Sequence, residues 1–389
     1  MSGSMPEETS ERTARRAAMN QEILETLQAK LAENPSLNLD HEMPRLQFAC
    51  KKKYFPHPTA LLLQQRRKPP PPKPQEFPAG FLRSTAQPVV LSPLSDAAKT
   101  LIFGPGGSED DDNLNDGVRR ALEHSEVLAV LRGRGGVLRC GDIAIKIVPA
   151  SDMGAEYSAL QYLAEHAADF PAPKPHGLIG FGSSRLLLTS YVPSTTLQSV
   201  WPGLGHENKL SIQRQLDQIL TRLRDIRQQP GGRLAGVGGE GVSDSHAWVD
   251  HVDKATAMTT AAEFRDFQFS IKAPCGPEYT AFLNSLLPCP DPGEPAGFTH
   301  GDIHPGNITV DIDSANPGEY VVTGIVDWEE SGFYPAWFES SKVLYTFTED
   351  GGGEMQDWWR YVPGCVAPAR YPVEWAVGRL RDKANGVDV

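Results

Sequence analysis

Apolar positions recur along this chain with two different periods. Near the start, Ile23, Leu27 and Leu31 repeat every four residues, which predicts a helix from about Glu8 to Glu33 that Asn34-Pro35 stops. From Val127 the pattern becomes strand-like, and Arg132-Gly133-Arg134-Gly135-Gly136-Val137 forms a glycine-rich turn between two such runs. Ile143-Ala144-Ile145-Lys146 alternates with period two, so the isoleucines share a core face and Ala144 and Lys146 the other. Asp152 can cap a following helix on which Glu156, Leu160, Leu163 and Ala167 fall on one stripe. Arg185 to Val192 reads as an apolar strand, and Ile212, Leu216, Ile219, Leu220 and Leu223 mark a helix from about Ser211 to Gln228. Gly318 to Val326 reads as a turn into a β-branched strand that delivers Asp327 at its end.

Between these periodic stretches the composition changes. Residues 1–40 are expected to form a helical extension, and 41–95 a basic, proline-rich linker with Lys51-Lys52-Lys53, Arg66-Arg67-Lys68 and Pro69 to Pro72. Such a segment cannot build a core and favours an extended, disordered chain; a proline-binding partner or a basic targeting patch are the competing readings. Gly104 to Asp112 is expected to be a solvated acidic loop, because it lacks the spaced ligands of a calcium loop.

At 389 residues, 40% hydrophobic and 22% charged, the chain has the make-up of a globular protein with a large core. Its net charge of -12 argues against nucleic acid as a partner. Five scattered cysteines, Cys50, Cys140, Cys275, Cys289 and Cys365, suggest neither a disulfide framework nor a zinc site. There is no apolar run of transmembrane length, and Glu7, Glu8 and Glu11 stand where a signal peptide would be apolar. No membrane association and a cytoplasmic location are therefore expected.

The chemistry concentrates in His300-Gly301-Asp302-Ile303-His304-Pro305-Gly306-Asn307 and in Ile325-Val326-Asp327-Trp328. Phosphoryl transfer needs a carboxylate to orient and deprotonate the attacking hydroxyl, and oxygen ligands to hold Mg²⁺ against nucleotide phosphates. Asp302, Asn307 and Asp327 are of the right types. A carboxylate followed five residues later by an amide, across a Pro-Gly turn, lets one tight loop present both toward a phosphate.

Phe298 to Asn307 and Asp327 to Glu339 resemble the aminoglycoside phosphotransferase and choline kinase group, most closely its fungal-type members. The resemblance implies an α+β, bilobed, protein-kinase-like fold, with a small sheet-containing lobe over residues 96–192 and a mainly helical lobe over 193–389. It implies Asp302 as catalytic base, Asn307 and Asp327 as Mg²⁺ ligands, and His300 as a brace for the loop. Ile143 to Lys146 resembles the Val-Ala-Ile-Lys strand of kinases, which implies Ala144 beneath an adenine and Lys146 on the α- and β-phosphates, held by Glu156. Gly133 and Gly135 either bring backbone amides to phosphate or merely make a hairpin turn. Backbone groups from Ser190 to Val192 are expected to meet the adenine edge, although Thr189-Ser190 departs from the family's Met-Glu.

The expected activity is that of a kinase transferring the γ-phosphoryl group of Mg-ATP to a hydroxyl of a small-molecule acceptor. The alternative is a catalytically weak pseudokinase or nucleotide-binding interaction module. A protein kinase is disfavoured, because His-Gly-Asp stands for His-Arg-Asp and no Ala-Pro-Glu segment follows. Trp248, Phe264, Phe267, Phe269 and Tyr279, with Asp244, Asp250, Asp253 and Glu263 among them, are expected to be core and rim rather than an amine site. Trp328 is expected to be a packing wedge.

Overall fold

The computed structural model describes residues 5–35, the single positions 39, 43, 46, 50 and 82, and residues 85–384 apart from 107–110, 132–134, 151–153, 194, 243–257, 271–275, 292 and 345–356. The chain forms two compact units, Met1–Lys68 and Pro69–Val389. In the first, helix α1 (Met5–Glu33) carries the stripe read from the sequence, with Ile23 and Leu27 buried and Leu24 exposed. The basic and proline runs of residues 51 to 72 lie outside the described residues.

The second unit is α+β and two-lobed. Its smaller lobe is a six-stranded antiparallel sheet in the order β1-β5-β6-β4-β3-β2. The strands are β1 (Pro88–Ser92), β2 (Glu126–Leu131), β3 (Gly135–Cys140), β4 (Ile143–Pro149), β5 (Pro175–Phe181) and β6 (Ser184–Ser190). Strand β1 lies inside the segment 41–95 expected to be linker. It is drawn into the sheet by pairing with β5, Pro88 opposite Phe181 and Val89 opposite Gly180. Helices α2 (Asp96–Phe103) and α3 (Asp111–Glu123) cover one face of the sheet. There Ile143, Ile145 and Ile147 pack with Leu138, Leu186 and Leu188 against Ala98, Ile102, Val118 and Leu122. The period-two alternation of β4 thus turns its isoleucines inward and leaves Ala144 and Lys146 for the opposite face.

Helix α4 (Ala155–His166) follows β4. Gly154, in the left-handed region at φ 78, occupies its N-cap with no side-chain cap, while the expected cap, Asp152, lies outside the described residues. Leu160 and Leu163 face the core of the larger lobe. After a short strand β7 (Thr195–Thr196) and helix α5 (Leu197–Val200), helix α6 runs from His206 to Asp225. It begins and ends a few residues earlier than the sequence suggests. At its end the Ile226 carbonyl accepts from the Phe298 amide at 2.8 Å, so the chain leaves the helix to pair with the strand before the His300 to Asn307 turn. Ile212, Leu216, Leu220 and Leu223 form its buried stripe.

The remaining elements of the larger lobe are helices α7 (Ala261–Ser270) and α8 (Pro277–Ser285), strands β8 (Gly297–Thr299), β9 (Ile308–Ile312), β10 (Tyr320–Ile325) and β11 (Gly332–Tyr334), and helices α9 (Trp337–Lys342) and α10 (Pro372–Ala384). Of the aromatics expected as core and rim, Phe264 is fully buried beside Tyr334 and Phe338, while Tyr279 is exposed. Glu263 accepts from the Thr259 and Thr260 amides at 2.8 and 3.0 Å and so caps α7 rather than meeting a ligand. Trp248, Asp244, Asp250 and Asp253 lie outside the described residues. Among the described residues no helix is long and apolar enough to cross a membrane.

Candidate active site

Strand β4 and helix α4 set the first half of the site. The Lys146 ammonium donates to Glu156 at 2.6 Å, to Asp327 at 2.5 Å and to Glu329 at 3.0 Å. Burial works against the ammonium, but the three carboxylates outweigh it and hold its pKa well above the usual lysine value. Burial pushes the Glu156 carboxyl up against the pull of Lys146. Burial also opposes ionisation of Asp327, yet the charge and hydrogen bond of Lys146 keep it below the usual carboxylate range. At Glu329 the attraction of Lys146 is the largest influence, but burial and the neighbouring Asp327 and Glu156 overcome it and raise the group to about 7.

The turn from His300 to Asn307 sets the second half. Asn307 donates through Nδ2 to the Asp302 carbonyl at 3.0 Å and to its carboxylate at 3.1 Å, so its Oδ1 is the oxygen left for a ligand. The Asn307 carbonyl accepts from the Val326 amide at 2.9 Å, tying the turn to the end of β10. There Asp327 sits at φ 69, the described non-glycine residue in the left-handed region. Such a backbone costs on the order of 1 to 3 kcal/mol and persists where surrounding contacts impose it. Here it aims the carboxylate at Lys146. Asp302 is raised above the usual carboxylate range by burial, with His304, whose Nε2 lies 3.6 Å from it, as the main opposing influence.

His300 links the two pieces. Its Nδ1 accepts from the Asp302 amide at 3.1 Å and its Nε2 faces the Val326 carbonyl at 3.1 Å, so the ring is neutral with the proton on Nε2. It is fully buried, and burial lowers its pKa to about 4, against a usual 6.5. Because the native state refuses this proton, the unfolded chain binds more protons between those values. Stability should therefore rise with pH through that window, be fully present above about 6.5, and fall by about 3 kcal/mol toward pH 4. Urea unfolding of wild type and His300→Gln across pH 4.5 to 7 should show a shallower acid loss in the variant; parallel curves would refute the assignment.

A cleft of about 320 Å³ joins these pieces. Ala144, Lys146, Glu156, Ser190, Val192, Asn307 and Asp327, all read from the sequence, line it, with Leu128, Val137 and Leu187 as apolar wall. Asp302 is not among its lining residues but is hydrogen-bonded to Asn307, which is. The amides of Ser190 and Tyr191 are taken inside the fold, by Lys174 at 2.9 Å and Asp142 at 2.8 Å. Of the amides from Ser190 to Val192, that of Val192 is left for a ligand. Gly133 lies outside the described residues. Gly135 does not line the cleft: a Cβ there would lie 2.1 Å from the Ile147 carbonyl, so close strand approach accounts for this glycine.

Two participants were not singled out from the sequence. Glu329, two residues after Asp327, supplies the third carboxylate around Lys146; the three offer oxygens within 4.8 Å of one another. Glu339 on α9 is buried and accepts from the amides of His300 and Gly301 at 3.0 Å and Ile303 at 3.4 Å. Gly301, at φ 87, admits no side chain, because a Cβ would lie 2.5 Å from the Glu330 carbonyl. Trp328 is fully buried, with its indole N–H on the Ile325 carbonyl at 2.8 Å and its ring 4.6 Å from that of His300, as a packing wedge should be.

Residues 118–363 match the profile of the phosphotransferase enzyme family. No curated protein matches the chain significantly. Similar solved structures include a thermostable mutant of aminoglycoside phosphotransferase APH(4)-Ia in a ternary complex with AMP-PNP and hygromycin B, at 14% identity, covering 67% of this chain and 84% of that one with a TM-score of 0.44. An aminoglycoside-3'-phosphotransferase of type VIII is 20% identical over 67% of this chain and 93% of that one, with a TM-score of 0.40. Aminoglycoside phosphotransferase APH(3'')-Id from Streptomyces rimosus, in complex with ADP and streptomycin, is 16% identical over 74% and 97%, with a TM-score of 0.39.

Proposed function

The chain belongs to the phosphotransferase enzyme family, and from that premise we propose that it transfers the γ-phosphoryl group of ATP to a hydroxyl of a small molecule. The observation that carries the reading is the convergence on one cleft of the Lys146–Glu156 pair with Asp327 and Asn307, next to a carboxylate, Asp302, that Asn307 itself holds.

In this reading the adenine lies against the Ala144 face of the sheet and receives the Val192 amide. Lys146, kept charged by its carboxylates, neutralises the α- and β-phosphates. The oxygens of Asp327 and Asn307 are hard donors of the kind Mg²⁺ takes, and no soft ligand is present among the described site residues. Asp327 and Asn307 would hold the ion, which supplies charge neutralisation on the phosphates. Asp302 orients the acceptor hydroxyl and takes its proton. His300 keeps Asp302 and Asp327 in register by bonding the backbone beside each.

Calorimetric titration of ATP and GTP, with and without Mg²⁺, into wild type and Asp327→Ala tests this directly. We expect Mg-dependent binding that the variant weakens by about tenfold or more. Absence of nucleotide binding by a demonstrably folded protein would overturn the reading.

A further inference from the structure

The turn from His300 to Asn307 carries a second histidine that the proposed chemistry does not employ. His304 stands just before a single turn of 3₁₀ helix, Pro305–Asn307, and its Nδ1 accepts from the Gly306 amide at 3.1 Å. A ring nitrogen that accepts from a backbone N–H carries no proton, so the proton of the ring sits on Nε2. Glycine is what lets the ring lie there, because a Cβ on Gly306 would stand 2.6 Å from His304 Cε1. Capping of the turn therefore fixes both the tautomer and the placement of the imidazole. It accounts for only one of the two nitrogens.

The other nitrogen faces the carboxylate of Asp302. Nε2 lies 3.6 Å from Asp302 Oδ2 and has no nearer polar partner among the described residues. The same oxygen receives Asn307 Nδ2 at 3.1 Å, while Oδ1 receives nothing from the described residues. Both side chains are part-open, His304 at 26% and Asp302 at 30% exposure, so a substrate can reach the pair. The last torsion of an aspartate side chain is broad and nearly two-fold, so a carboxylate held only through its backbone presents either oxygen. Donors gathered on Oδ2 remove that freedom. At 3.6 Å the imidazole contact is longer than a hydrogen bond, and contacts of this kind commonly tighten as substrate fills a catalytic site.

We propose that His304 is a positioning residue for the base of the phosphoryl transfer. Its Nε2–H, together with Asn307 Nδ2, holds Oδ2 of Asp302 and leaves Oδ1 to face the acceptor hydroxyl; this rests on the reading of Asp302 as that base. The proton of the acceptor then passes to Oδ1, its oxygen bonds the γ-phosphorus, and ADP leaves with the electron pair of the broken P–O bond. His304 exchanges no proton in this scheme. It acts through the direction in which Asp302 points, and the Pro305-Gly306 pair serves to seat its ring as well as to make the turn.

Two conservative replacements in the full chain separate the nitrogens. His304→Asn keeps an oxygen where Nδ1 stood and has nothing in place of Nε2, whereas His304→Gln puts an amide N–H₂ near Nε2 and gives up the cap. Followed as phosphate release from Mg-ATP, turnover in His304→Asn should fall about tenfold or more, with calorimetric ATP affinity within a few-fold of wild type and an unchanged melting temperature. His304→Gln should melt lower and yet turn over faster than His304→Asn, the reverse of what a purely structural residue gives. In an Asp302→Asn protein, His304→Asn should cost nothing further, because the two side chains act as one unit. Imidazole nitrogen NMR supplies a readout that needs no turnover: His304 should be the Nε2–H tautomer, and Asp302→Asn should shift Nε2 more than Nδ1. A proton on Nδ1, undiminished turnover in His304→Asn, or additivity with Asp302→Asn would each overturn the proposal and leave Asp302 as the base. Weakened ATP binding in place of slower turnover would overturn it too, by assigning the ring to the phosphates. Undiminished turnover in Asp302→Asn would instead remove the base itself, and the proposal with it.

Discussion

Asp302→Asn is expected to lower turnover by about 10² to 10⁴-fold, the usual contribution of a positioned general base, while nucleotide affinity stays within a few-fold of wild type. The substitution keeps an oxygen on the side chain but no longer accepts a proton. The turn itself survives, because it is held through the backbone: the Asp302 amide on His300 Nδ1 at 3.1 Å and the Asp302 carbonyl under Asn307 Nδ2 at 3.0 Å. Nucleotide affinity is spared because Asp302 does not line the cleft. Burial holds Asp302 above the usual carboxylate range, so wild-type turnover should fall with acid through a pKa above the ordinary 3.8. The residual activity of the variant should lack that limb. Before an acceptor is known, slow transfer to water, followed as phosphate release from ATP, provides the readout. Undiminished turnover in a folded Asp302→Asn protein would remove Asp302 from the mechanism. A parallel collapse of nucleotide affinity would make it a structural residue instead.

The parts of this site that were legible in the sequence are those whose position follows from a local period. Alternation in Ile143 to Lys146 places Lys146 opposite the isoleucines, and the helical stripe through Leu160 and Leu163 carries Glu156 to the same side. The two meet at 2.6 Å. Asn307 and Asp327 were legible because a tight turn and a strand end are short-range structures. Glu339 was not, although it sits within the stretch that carries the family resemblance. Its role depends on α9 packing under a turn almost forty residues earlier, and the one signal in the sequence is an acidic residue next to Trp337 and Phe338 in a short helix. Gly135 misled for a related reason. A glycine that permits close approach of Ile147 cannot be told from one that cradles a phosphate until the neighbouring strand is in place. The Ser190 to Val192 segment was half legible: Ser190 and Val192 both line the cleft, but the pairing of Ser190 with Lys174 depends on the register of β5.

Replacing Glu339 tests whether that buried carboxylate is the anchor of the His300 to Asn307 turn. Its two oxygens receive the amides of His300, Gly301 and Ile303. It is almost fully buried, and burial pushes its own pKa up against the pull of those amides, Lys342 and Arg224. Glu339→Ala leaves three amides without an acceptor where water cannot easily replace it, and should cost roughly 3 to 5 kcal/mol in chemical denaturation. Glu339→Gln keeps one oxygen, which can still serve His300 and Gly301, and turns an N–H₂ group toward the Ile303 amide. It should cost roughly 1 to 3 kcal/mol, the penalty of one unsatisfied buried donor. Because the same amides fix the backbone on either side of Asp302, the Gln variant should also lose turnover while still binding nucleotide. If Glu339→Ala unfolds within about 1 kcal/mol of wild type, the turn is held by His300 and Asn307 alone, and α9 is packing rather than support.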